Sequence, residues 1–119
     1  MGTGLVSNLL TFMKGEKIKM KLQKISDSDF WLESQDGFMT IKFVMDMDKH
    51  EILYDVFSPK YDVHLKEETL RDVERLDLIA EDMGKWEYEK SIENFWLILD
   101  CVKLWARKNK FEIKEKEMI

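Results

Sequence analysis

The sequence predicts an α+β domain: a short N-terminal helix, then a four-stranded antiparallel β-meander packed on one face by two C-terminal helices. Three observations predict it. Apolar and polar residues alternate through residues 16–58, apolar residues recur at three- and four-residue steps through 65–110, and Ser58-Pro59 stands where the period changes. Strands followed by helices segregate into this kind of layered packing. The 119 residues suit one domain, with a charged tail over 111–119.

The first fifteen residues read as a short amphipathic helix carrying Leu5, Val6, Leu9, Leu10, Phe12 and Met13, with Thr3 placed to cap it and Gly15 just past its end. No basic residue precedes that apolar stretch, which is about half the ~20 residues a membrane span needs, so neither a secretory signal nor a span is expected and the cytoplasm is. Lys17–Ile25 alternates strictly, with Ile18, Met20 and Leu22 on one side and Lys17, Lys19 and Lys21 on the other, which predicts a half-buried strand. Ser26–Asp29 supplies a polar turn, and Phe30–Gln35 reads as the second strand. Asp36-Gly37 is the dipeptide favoured in a two-residue hairpin turn. The third strand, Phe38–Met45, puts Met39, Ile41, Phe43 and Met45 on one face and Thr40, Lys42 and Val44 on the other; His50–Phe57 is the fourth.

Leu70, Val73, Leu76, Ile79, Ala80 and Met83 then predict a helix over Lys66–Met83, with Gly84 as its natural terminator, and Trp86–Lys108 is a longer helix without Gly or Pro. In the tail, Phe111 and Ile113 alternate enough for a short strand or a docked segment.

On the long helix, Ile92, Phe95, Ile98, Leu99, Val102 and Ala106 fall in one sector, with Trp105 at its edge, and this sector is expected to pack on the sheet. Glu89, Glu93, Asp100, Lys103 and Arg107 centre the opposite side, yet Trp96, Leu97 and Leu104 fall inside or beside that polar stripe. Surplus apolar surface must be covered by the N-terminal helix, by the tail or by another molecule, a second copy included.

Composition argues against catalysis. The two histidines, His50 and His64, have no evident partner, Cys101 sits mid-helix beside Asp100, and no phosphate-binding glycine loop, HExxH or GxSxG pattern occurs. One cysteine excludes an intramolecular disulfide and fits a reducing compartment. Asp46, Asp48 and His50 alternate, but acidic residues also favour turns for backbone reasons, so no metal and no cofactor is expected.

Charge is uneven. The formal net charge is −5, yet Lys14–Lys24 holds five lysines and one glutamate, while Asp62–Glu93 holds eleven acids against five bases. Lys17, Lys19 and Lys21, with Lys42 and Trp31, could follow a phosphate backbone and stack a base; the alternative, favoured by the overall charge, is a lysine row that keeps a strand soluble. The acidic half points instead to a basic protein partner. The expected function is therefore a small, acidic, non-catalytic inhibitor acting by stoichiometric occlusion, of the kind found among immunity proteins, antitoxins and phage anti-defence proteins. Glu67, Glu74, Asp77, Glu81 and Glu93, with Asp100, would meet a basic toxin or nuclease, while Trp96, Leu97 and Leu104 supply the apolar anchor. A homodimeric secretion or assembly chaperone and an RNA- or nucleotide-binding module are the competing readings.

Overall fold

The computed structural model describes residues 5–13, 20–34, 37–66 and 73–118. Their order is α1 (Leu5–Met13), β1 (Lys21–Lys24), β2 (Asp29–Glu33), β3 (Thr40–Asp46), β4 (Glu51–Ser58), β5 (Val63–His64), α2 (Val73–Met83), α3 (Lys85–Lys108) and β6 (Glu112–Glu115). The α+β class holds, and β1 to β4 pair antiparallel in chain order. Two strands enlarge the expected meander. β5 pairs antiparallel with the end of β4, and β6 runs parallel to its beginning. A parallel neighbour needs a long crossover, which α2 and α3 provide.

Directly paired residues share a face, so the register sorts the side chains. Leu32, Ile41 and Val56 form one inward row and Phe30, Phe43 and Tyr54 the next, all buried. Phe30 stacks on Phe43 at 4.8 Å, an offset pair of aromatic rings at the centre of the sheet. The expected inward set of the third strand is correct: Met39, Ile41, Phe43 and Met45 are all buried. Leu22 belongs to the inward row of Leu32, but β1 ends the strand order and leaves it 43% exposed.

The helices close the inward face. Phe95, Ile98, Leu99, Val102 and Ala106 are buried as the helical sector requires, and Trp105, expected at its edge, is buried too. α1 packs on α3 through Val6, Leu9 and Met13, spaced at three and four residues. α2 packs on α3, and its Ile79 and Met83 lie against the core. The chain passes from one helix to the next through Gly84, at φ +99°, a conformation glycine adopts without a Cβ clash. Ser58 ends β4 before Pro59 as expected. The expected start of the Lys66–Met83 helix is corrected in part: Lys66 is not helical, and the stretch from Glu67 to Asp72 lies outside the described residues, as do Thr3, Gly15, Lys17, Ile18, Lys19, Gln35 and Asp36. Gly37, the described half of the hairpin dipeptide, takes φ +74°. Among the described residues no helix is long and apolar enough to cross a membrane.

Candidate protein-binding surface

The surfaces worth weighing arise from α2, the start of α3, and the outer ridge of α3. α2 is positioned by two contacts to the loop after β4: the Tyr61 hydroxyl donates to Asp82, and Lys60 Nζ lies 4.0 Å from the same carboxylate. Phe38 meets Tyr61 and Tyr88 edge-on, at 6.0 and 6.2 Å, and so ties the hairpin tip to the helical arm. Between α2 and the first turns of α3 runs an open groove lined by Asp77, Ala80, Glu81, Lys85, Tyr88 and Glu89. Burial, and then the negative charge of Asp77, raises the Tyr88 hydroxyl above its ordinary value. From Asp77 to Glu93 the chain carries six acids and two lysines. Leu78, on the same helix as Asp77 and Glu81, is 70% exposed.

The sequence-derived residues divide. Asp77 and Glu81 stand exposed at the groove, and Glu93 and Asp100 are exposed on α3. Glu67 and the side chain of Glu74 lie outside the described residues. Trp96 leaves the proposed anchor: it is half-buried, packed on the chain's own core, with its ring 5.0 Å from that of Phe95. Its position at the border of the polar stripe lets the large indole fold back onto apolar neighbours. Leu97 is half-buried and Leu104 is 42% exposed. Leu78 and Trp86, exposed at 70% and 66%, are the residues sequence reasoning missed. Angular arithmetic could have found both. Leu78 points more than a quarter-turn away from Ile79, Ala80 and Met83, and Trp86 falls about 180° round the helix from Phe95.

Of the lysine row on the outer sheet face, Lys17 and Lys19 lie outside the described residues. Lys21, Trp31 and Lys42 do share that face, but Lys21 pairs with Glu33 and Lys42 with Asp55, so carboxylates interleave the row. Lys42 Nζ sits 4.8 Å from the centre of the Trp31 ring, on the surface where a base would stack. The Asp46–His50 segment is used structurally. Asp46 Oδ1 accepts the N–H groups of Asp48 and Lys49, both at 3.1 Å, while the His50 ring stacks on Phe111 at 4.9 Å. His64 has a partner after all, since its Nδ1 lies 2.9 Å from Oδ1 of buried Asp55. Asp55 Oδ2 accepts the Met118 N–H at 3.1 Å, and Lys66 bonds Glu117 at 3.1 Å, so this cluster fastens β5 and the tail to β4. The Lys66 bond holds the Glu117 carboxyl below its ordinary value. Cys101 is buried in the helical layer.

Comparison of the chain with protein-family models, with curated proteins and with solved structures gives no match.

Proposed function

We propose that this chain is a non-catalytic protein-binding domain that inhibits a basic partner, such as a toxin or nuclease, by stoichiometric occlusion. One observation carries the reading: the helical arm sets an acid-lined groove beside Leu78, a large apolar side chain left 70% exposed. Asp77, Glu81 and Glu89 would draw a lysine- or arginine-rich surface into contact, and Leu78 would lose its water against that surface. Charge of this kind raises the association rate more than it deepens the complex, so the apolar contact governs how long the partner stays. The anchor thus moves from Trp96 to Leu78, while the acidic rim keeps Asp77 and Glu81 from the original set.

The test is co-expression with the products of neighbouring genes, followed by isolation of any 1:1 complex. Leu78→Ser is expected to speed dissociation at least about tenfold. Asp77→Lys with Glu81→Lys is expected to slow association and remove its salt dependence. A basic partner bound equally well by both folded variants overturns the assignment of this surface.

A further inference from the structure

Among the described residues, β1 ends the strand order with one neighbour, β2. The ladder decides which of its backbone groups are engaged. The Ile25 N–H donates to Asp29 O at 3.0 Å, in register with the paired residues before it, and hydrogen-bonded pairs alternate along an antiparallel ladder. Lys21 and Gln23 therefore turn their N–H and C=O groups toward Glu33 and Trp31, and Leu22 and Lys24 turn theirs away from the sheet. The other side of β2 agrees. The Ser34 N–H donates to Met39 O at 2.9 Å, which gives the even-numbered residues of β2 to β3 and the odd-numbered ones to β1. Leu22 and Lys24 thus line the edge with donors and acceptors spaced for a further strand.

The side chains beside that edge select its occupant. Leu22 continues the inward row of Leu32, Ile41 and Val56 and is 43% exposed where the row stops. Lys21 and Lys24 are exposed, on the outer and inner faces. Lys24 Nζ lies 3.4 Å from Ser7 Oγ and 3.7 Å from Asp27, while Glu33, across from Lys21, accepts from Gln23 Nε2 at 3.2 Å. Neither β1 nor α1 contains an acid, and the chain from Lys14 to Lys24 has five lysines and one glutamate. We infer that this edge takes an extended acidic segment of another protein as an added strand, with apolar residues beside Leu22 and acidic ones beside Lys21. Main-chain hydrogen bonds supply the affinity and alternate side chains the selectivity. A second copy of β1 is disfavoured, because it would lay lysines along lysines; the charges that keep two copies apart admit an acidic strand. This edge and the acid-lined groove are different surfaces of opposite charge, so the inference stands apart from the proposed function.

NMR titration of the full chain with a blocked hexapeptide of alternating glutamate and valine tests this. The dissociation constant is expected below about 1 mM, with the largest amide shifts at Leu22 and Lys24. A peptide of alternating lysine and valine should bind at least about fivefold more weakly, and Lys21→Glu should reverse that order. Lys24→Pro removes an edge N–H without breaking a bond to β2, and should weaken binding at least about threefold. Lys24→Ala, which keeps that N–H, should weaken it less. Both lysines are exposed, so the variants fold, as circular dichroism will verify. An acidic peptide that leaves Leu22 and Lys24 unmoved at millimolar concentration overturns the inference. So do equal affinities for the two peptides, or an affinity indifferent to Lys24→Pro. A single-stranded oligonucleotide that binds the same lysines more tightly than the acidic peptide also overturns it, and gives them to phosphate.

Discussion

Replacing Asp55 by alanine should cost about 2–4 kcal/mol and free the C-terminal tail, because hydrogen bonds to a charged group are each worth about 1.5–3 kcal/mol and the partners left behind are only partly reached by water. Asp55 is 3% exposed on the outer sheet face, where it holds His64 at 2.9 Å and the Met118 N–H at 3.1 Å. Both partners donate, so a carboxylate satisfies both at once. Asp55→Asn keeps one acceptor but turns an N–H₂ group toward the other donor, and should cost roughly half as much. Urea denaturation reads the totals, and amide hydrogen exchange at Met118 reads the tail locally. Removing residues 116–119 in the Asp55→Ala background separates the contributions. The double-mutant coupling should be about 1–2 kcal/mol if the Met118 bond is made in solution. A cost below about 0.5 kcal/mol, the range of an ordinary surface substitution, with unchanged protection at Met118, would refute the reading of this cluster as the fastening of the tail.

Phe43→Ala should destabilise by about 3–5 kcal/mol in the same denaturation assay, since Phe43 is fully buried and stacks on Phe30. Gly84→Ala should cost about 1–2 kcal/mol from the positive φ, and the loss should persist in Gly84→Ala/Glu87→Ala, which also removes the carboxylate a new Cβ would meet. The Glu117 carboxyl titrates below its ordinary value in the folded state, so its contact with Lys66 is fully present above that ordinary value and is lost as pH falls through the lowered one. Protection of the Met118 amide, taken relative to its intrinsic exchange rate at each pH, should therefore fall below about pH 4, and Lys66→Met should abolish that fall. Leu78→Ser should change stability by no more than about 0.5 kcal/mol, because the side chain is already 70% exposed; a larger loss would mean that Leu78 packs at home.

Most of the fold could be read from the amino acids because its elements announce themselves locally. Alternation in 38–45 assigned the buried face of β3, and three- and four-residue spacing assigned the sheet-facing residues of α3. β5 was not foreseen, and β6, expected from Phe111 and Ile113 as a short strand or docked segment, could be given no partner, for a physical reason. Two and four residues carry too little period, and β6 depends on pairing with β4 about sixty residues away in the chain. The Asp55–His64 contact was invisible for the same reason, since it joins neighbouring strands rather than neighbouring residues in a motif.

The exposure of the acids was legible in the sequence, and the packing of Trp96 on the core was not. Acids at Asp77, Glu81, Glu93 and Asp100 remain exposed because solvation holds them there whatever the neighbouring elements do. An indole has no such obligation. Trp96, close to the edge of the buried sector, turns inward because apolar side chains are within reach, and removing its surface from water is favourable. Trp86 lies on the far side of the same helix, within two residues of its start, and stays 66% exposed. The same chemistry therefore packs one tryptophan on the core and leaves the other exposed. The acid-lined groove begins beside the one-residue turn at Gly84, and its charge and its grease can be tested by separate substitutions: Asp77→Lys addresses the one, Leu78→Ser the other.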